Sequence, residues 1–266
     1  MKNADLHVHS RISDGSCTIG ELAAAALERG LDAIAVTDHD TLVQAGSIPS
    51  GLPVQVIPGI EISCYDYDAN QRVHILGYRI QDIALIEEFV HPLLLARHAN
   101  SLRQIEVLEQ NGFAIETSAL NRADGRYIYK QHIMEYLVKT RQAPDMFGDF
   151  YRRIFKNGGI CDFDIRYLDP YEAVRRIRQA GGLAVLAHSG QQQNFSLIPR
   201  LVKEGLCGLE LNHPANSPQD RQIIRECAAA YGLFLTGGSD YHGAYEPNSP
   251  GLGCCLSEES GVQAVC

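Results

Sequence analysis

The segment Ala4-Asp-Leu-His-Val-His-Ser10 alternates apolar Leu6 and Val8 with polar neighbours, the period-two pattern of a short strand. The same alternation sets His7 and His9 on one face. Thr18 and Glu21 have capping-box spacing, Ile19, Leu22, Ala23, Ala26 and Leu27 follow at helical intervals, and Gly30 supplies the stop. A second strand over 32–36 runs straight into Thr37-Asp-His-Asp40, completing the strand, helix, strand rhythm of a parallel sheet. Further buried strands are expected at 53–57, 73–77, 183–187, 206–211 and 233–236, most of them ending in a polar or ionisable residue. In α/β barrels and open α/β sheets that C-terminal edge is where ligands bind. Asp169-Pro170 opens a helix carrying Ala173, Val174 and Ile177, and Ser217-Pro218 opens another through Ile223, Ile224, Cys227 and Tyr231. From 82 to 159 helical periodicity replaces the strand rhythm, as in Leu95, Ala99, Leu102, Ile105 and Leu108 before the stop at Gly112. The chain thus divides into a body over 1–81 and 160–266 and a helical insertion over 82–159.

A length of 266 residues fits one large α/β domain with such an insertion, and 45% hydrophobic with 21% charged residues is ordinary globular composition. No apolar run approaches the ~20 residues needed to span a bilayer, and a first strand near residue 5 leaves no room for a signal peptide, so no membrane association and a cytoplasmic location are expected. Eight cysteines without a C-x-x-C pair read as reduced, mostly buried thiols. The net charge of −9 argues against a groove for duplex nucleic acid. Its distribution is uneven: residues 96–156 carry ten Lys+Arg against seven acids, leaving −12 for the rest. A basic cap over an acidic body suits a body that holds cations and a cap that accepts an anion.

Six of the ten histidines (His7, His9, His39, His74, His188, His242) fall in or just beyond predicted strands, beside Asp14, Glu61 and Asp240. The H-x-H pair places two imidazoles about 6–7 Å apart at the Cα atoms, close enough to share an ion. Thr37-Asp-His-Asp40 and Gly238-Ser-Asp-Tyr-His242 repeat the mixture of imidazole and carboxylate, which suits borderline divalent ions. Glu61, flanked by Ile60 and Ile62, would be costly to bury unpaired, and bridging two ions would satisfy both its oxygens. His213, in Asn212-His-Pro214, is a candidate proton donor to a leaving group. Arg11, Lys130, His132, Arg152, Arg153 and Lys156 are candidates for gripping an anionic substrate.

Asp5-Leu-His-Val-His-Ser10 with Ser13-Asp-Gly15, then Thr37-Asp-His-Asp40, Pro58-Gly-Ile-Glu61, Ala187-His188 and Gly238-Ser-Asp-Tyr-His242 resemble, in order, the motifs of the PHP (polymerase and histidinol phosphatase) family. The resemblance spans nearly the whole chain and is loosest over the insertion. It implies a distorted seven-stranded (β/α)7 barrel with an inserted helical subdomain and three divalent ions (Mn, Fe or Zn) at the strand ends. Carried over by motif, one ion takes His7, His9, Glu61 and Asp240, a second shares Glu61 and adds His74 and His188, and a third takes Asp14, His39 and His242. Asp14 stands where some branches use histidine, which is similar to the stand-alone nucleotide and sugar-phosphate hydrolases. Relatives commonly follow the alanine-histidine motif with proline, whereas Ser189 here leads into the polar loop Gln191-Gln-Gln-Asn194. The implied activity is hydrolysis of a phosphate ester in a small phosphorylated metabolite, a nucleotide bisphosphate or a phosphorylated (cyclic) ribose, by a hydroxide bridging two cations. The alternatives are a 5′-3′ exonuclease on short oligonucleotides, a non-catalytic PHP module and amide hydrolysis. The sequence assigns no oligomeric state.

Overall fold

The structure is a computed structural model and describes residues 2–120, 127–245 and 250–266. Its seven strands lie side by side in chain order as one mixed sheet: β1 (Ala4–Val8), β2 (Ala33–Val36), β3 (Gln55–Asp66), β4 (Gln71–Tyr78), β5 (Leu183–Leu186), β6 (Gly208–Asn212) and β7 (Phe234–Gly237). The sheet nearly closes: Val8 bridges Tyr241 in parallel, the His9 N–H donates to the Tyr241 carbonyl and the Asp240 N–H to the His7 carbonyl. This is the α/β barrel that the strand count and connectivity anticipate. Flanking helices are α1 (Ile19–Glu28), α2 (Ile83–Gln110), α3 (Lys130–Lys139), α4 (Asp149–Phe155), α5 (Pro170–Gln179), the short α6 (Ser189–Gln192) and α7 (Ile198–Lys203), α8 (Pro218–Tyr231) and α9 (Glu259–Val265).

Two expectations change. The strand expected at 53–57 overlaps only the first three residues of a 12-residue strand that carries Glu61 in its interior, and β4 runs antiparallel to both of its neighbours. The cause is a tight turn after Asp66, whose Oδ1 accepts the N–H groups of Asp68 and Ala69 while Asn70 takes a left-handed conformation. The chain folds straight back, so the first half of β4, and not its end, lies at the rim with His74 opposite Ser63. The second change concerns the helix expected around 95–108. It is 28 residues long, starts at Ile83 and runs through Pro92, with Leu95 and Ala99 exposed and Leu94, Ser101, Ile105 and Leu108 buried.

That long helix joins two cores. Its first turns put Ile86 and Val90 against Ile60, Ile62, Val73, Ile75, Val174 and Ile177 of the barrel. Farther along, Ile105 and Leu108 pack with Ile133, Met134, Leu137, Ile154 and Phe155 of α3 and α4. Each such buried aliphatic side chain stabilises by roughly 1.5–3 kcal/mol, so α2 is held from both sides. The face of α3 that the second core does not use looks back at the strand ends. Among the described residues no helix is long and apolar enough to cross a membrane.

Candidate metal centre

Three buried aspartates build the loops at the barrel mouth. Asp38 accepts the Ser10 N–H (2.9 Å), the Ser10 hydroxyl (2.7 Å) and the Ser13 hydroxyl (2.7 Å), which curls the loop after β1 and turns Asp14 inward. Gly15 makes that curl feasible, because a Cβ there would stand 2.3 Å from the His9 carbonyl oxygen. Asp5 accepts the Ser239 N–H (2.9 Å) and hydroxyl (2.6 Å) and the Gly253 N–H (2.8 Å), pinning the segment that carries Asp240. Burial pushes both Asp5 and Asp38 up, against the opposing pull of these serine hydrogen bonds. Asp40 accepts the Ser63 N–H at 2.7 Å and pairs with Arg97 of α2 at 2.6 Å.

On this frame five imidazoles gather around one buried carboxylate. Glu61 lies 2.7 Å from His74 Nδ1, 2.8 Å from His188 Nε2, 3.1 Å from His9 Nε2, 3.2 Å from His7 Nε2 and 3.4 Å from His39 Nδ1. Donor atoms fall into overlapping groups within 4.8 Å: His7, His9, Glu61 and Asp240; His9, Asp14, His39 and His242; and His39, Glu61 and His74. The first grouping is the expected one. The second adds His9 to Asp14, His39 and His242. The third brings His39 beside Glu61 and His74, and His188 lies outside these groups but against Glu61 and the His74 ring.

These residues fit divalent ions. His7 Nε2, both ring nitrogens of His9 and His188 Nδ1 are buried without a hydrogen bond, a concentration of unsatisfied polar atoms that is costly unless an ion takes their lone pairs. Electrostatics agree. Burial pushes Glu61 up, but His39, His74 and His7 outweigh it and hold the carboxyl well below its usual range. Burial likewise opposes charge on His9, yet Asp240 and Glu61 bring it up to about 10, while His39, where burial wins, goes down to about 4. A cation meets the demand that protons on His7 and His9 otherwise meet.

Sequence reasoning missed Glu210. This side chain in β6 is 1% exposed; its carboxylate accepts from His7 Nδ1 at 2.9 Å and from the His188 N–H at 2.8 Å. Its signal was present: an acid between Leu209 and Leu211, the same pattern that singled out Glu61 between Ile60 and Ile62.

A cleft of about 590 Å³ opens onto the cluster beside Gln191, Gln192 and Phe147. A second cavity of about 180 Å³ runs from Asp14, His39 and His74 beneath the insertion to Arg72, Arg97, Lys130, Lys156, Tyr151 and Tyr167. Of the six residues expected to grip substrate, Lys130 and Lys156 line this cavity. The other four do not. His132 is buried and its Nδ1 accepts the Tyr129 N–H at the start of α3. Arg152 pairs with Asp149 on the outer surface, Arg153 lies against the Phe150 ring, and the charge of Arg11 acts on Glu21 of α1. His213 is also off the cavity wall. It is 3% exposed, its Nδ1 accepts the Ala215 N–H and its Nε2 faces Asp240 at 3.4 Å. Arg122 and Arg126, counted in the basic surplus, lie outside the described residues.

An α/β barrel that gathers imidazoles and carboxylates over its mouth in this way is built as a metal-dependent hydrolase. The chain belongs to the PHP domain family, whose model matches residues 5–182. It is similar, with 43% identity over 91% of this chain and 94% of the other, to the phosphoribosyl 1,2-cyclic phosphate 1,2-diphosphodiesterase of Eggerthella lenta. The 5′-3′ exoribonuclease Rnm of Salmonella typhimurium is 30% identical over 90% of this chain and 84% of its own. Among solved structures, one from Bifidobacterium adolescentis, described provisionally as a metal-dependent phosphoesterase, superposes with a TM-score of 0.87 at 27% identity, covering 99% of this chain and 95% of the other. The chain is thus an enzyme of the PHP phosphoesterase class, and the family is metal-dependent.

Proposed function

We propose that this enzyme hydrolyses a phosphate ester in a small phosphorylated ribose derivative, a cyclic phosphate foremost, with three divalent ions of Mn, Fe or Zn type. The observation that carries this reading is Glu61 encircled by five imidazoles. One ion is held by His7, His9, Glu61 and Asp240, a second by Glu61, His74 and His188, and a third by Asp14, His39 and His242. Bound ions of this kind activate water as a nucleophile at neutral pH and neutralise charge on phosphoryl oxygens.

The rest of the work belongs to the chain. Glu61 offers an oxygen to either side of the cluster. Glu210 holds the proton of His7 at Nδ1, leaving Nε2 as the free lone pair. His213 fixes Asp240. The insertion, as a cap over 82–159, supplies positive charge for the part of the substrate that does not react. Arg97 is already matched by Asp40 and Arg72 by Asp164, while Lys130 and Lys156 form no ion pair among the described residues. Two ammonium groups without a direct ion pair in one cavity wall suit a second phosphate. The similarity to a cyclic phosphodiesterase over nearly the full length of both chains supports the ribose assignment.

The test is elemental analysis of the purified protein, then chromatographic separation of the products from a phosphoribosyl cyclic phosphate, a nucleoside 3′,5′-bisphosphate and a short oligoribonucleotide side by side, with and without chelator. Chelator-sensitive turnover with the cyclic substrate fastest is expected. Fastest cleavage of the oligonucleotide would replace this reading with that of the exoribonuclease relatives.

A further inference from the structure

Among the described residues the insertion touches the donor cluster through the start of α3. Gln131 Nε2 donates to Asp14 Oδ2 at 2.8 Å, and the Tyr129 hydroxyl donates to the His39 carbonyl at 2.8 Å. Arg97 adds its pairing with Asp40, the residue after His39, and reaches the Ser63 hydroxyl at 3.0 Å. Asp14 and His39 share a donor group. The other ligands are oriented by the barrel itself: Glu210 holds His7 and the backbone of His188, and Asp5 holds the segment before Asp240. From the barrel, the Ser13 hydroxyl, which lies closer to Asp38 (2.7 Å), stands 3.1 Å from the other Asp14 oxygen.

Carboxylate geometry gives the contact its meaning. Oδ2 accepts from the Gln131 amide and faces His39 Nε2 at 3.8 Å, while Oδ1 faces His9 Nδ1 and His242 Nε2, each at 3.5 Å. A carboxylate freed from such a partner rotates about its last torsion and presents a different oxygen. Tyr129 acts likewise on the peptide that sets the direction of the His39 ring. The two residues flank Lys130 at the first turn of α3, so three consecutive side chains reach the His39 loop, the cavity and Asp14.

We propose that Tyr129 and Gln131 are positioning residues for the ion held by Asp14, His39 and His242, so that this ion, unlike the other two, depends on the seating of the helical insertion. The inference rests on the three-ion reading above. Loss of an orienting partner of a metal ligand typically weakens the ion by 10–100-fold.

The experiment uses the full chain with Gln131→Leu and Tyr129→Phe, which keep side-chain bulk and remove one donor each. Protein loaded with Mn²⁺ is exposed to graded chelator, and retained metal is counted by elemental analysis, with thermal melts confirming the fold. Three equivalents in the parent chain are expected, and in each variant two retained as before with the third released at 10–100-fold lower chelator strength. Release curves identical to the parent, or loss of all ions together, would overturn the proposal. If the parent chain holds fewer than three ions, the three-ion reading fails first and the inference with it, a result visible before any variant is made.

Discussion

Glu210→Gln tests whether the cluster depends on a residue that touches no substrate. The carboxylate gives two acceptors, one to the His7 Nδ1 proton and one to the His188 N–H, both within 2.9 Å. It stays ionised: burial pushes it up, but His7 and His213 outweigh this and hold it below the usual range. A carboxamide of the same shape has one acceptor and one donor, so it fails one of the two partners. If its NH₂ meets the His188 N–H, two buried donors face each other. If it meets His7 Nδ1, the His7 proton moves to Nε2, the atom aimed at Glu61 and Asp240, and His7 ceases to be a ligand. Either outcome forfeits a charge-assisted hydrogen bond of about 1.5–3 kcal/mol, which is roughly 10–100-fold in ion affinity. Competition with a fluorescent chelator reads the affinity, and a melt of the ion-free protein reads the structural part. Mn²⁺ affinity within a factor of two of the parent chain would refute the reasoning, since no geometry lets an amide satisfy both donors.

Three further outcomes are expected. Burial and the neighbouring Lys156 push Lys130 down to about 8 from its ordinary 10.5, so its ammonium is lost as pH rises through about 8, and KM for a bisphosphorylated substrate should climb there in the parent chain and stay flat in Lys130→Met. In the fold itself the sign is opposite, because the disfavoured charge detracts from stability below about 8 and that penalty fades as pH climbs toward 10.5. Gly238→Ala should destabilise by about 1–3 kcal/mol or more in thermal melts, because its Cβ would stand 2.3 Å from His7 Cβ and neither atom is on a flexible side-chain end. Arg97→Met leaves Asp40 buried without its 2.6 Å partner and should cost about 3–5 kcal/mol in denaturant unfolding, whereas an unchanged midpoint would show the pair to be dispensable.

The strands and the ligand candidates were legible because both are written in short-range pattern. Period-two alternation and runs such as Leu183–Leu186 carry the strands, and an ionisable residue at the end of an apolar run marks the rim. The reversal of β4 was hidden because periodicity has no direction; only the Asp66 to Asn70 turn chemistry could have told a hairpin from two separate parallel strands. The buried face of α2 was misread for a similar reason. Its apolar stripe changes partner from the barrel to the insertion core, and Leu95 and Ala99 fall outside both contacts. Side chains that grip through space, such as Gln131 on Asp14 across a sequence separation of 117, leave no local trace. Lys130 and Lys156 could be named as cations of a cap, but nothing in the sequence separates them from Arg152 and Arg153, which face solvent.

Left-handed turns at the strand ends link the barrel's closure to its chemistry. His188 (φ 24°), Asp240 (φ 53°) and Asp40 (φ 58°) all take positive φ without being glycine, each just past the end of a strand. Such backbone costs on the order of 1–3 kcal/mol per residue and persists only where surrounding contacts over-determine it. Here the contacts are identifiable. Glu210 accepts the His188 N–H, the His7 carbonyl accepts the Asp240 N–H, and Arg97 and Ser63 grip the Asp40 carboxylate. A strand that simply continued would send its next side chain past the rim. The left-handed step turns the chain at the rim and brings the His188 and Asp240 side chains to Glu61, His7 and His9, to which they lie within 3.4 Å. The buried polar residues at the mouth therefore do two jobs with the same hydrogen bonds: they hold the strained turns, and the turns hold the ligands over Glu61.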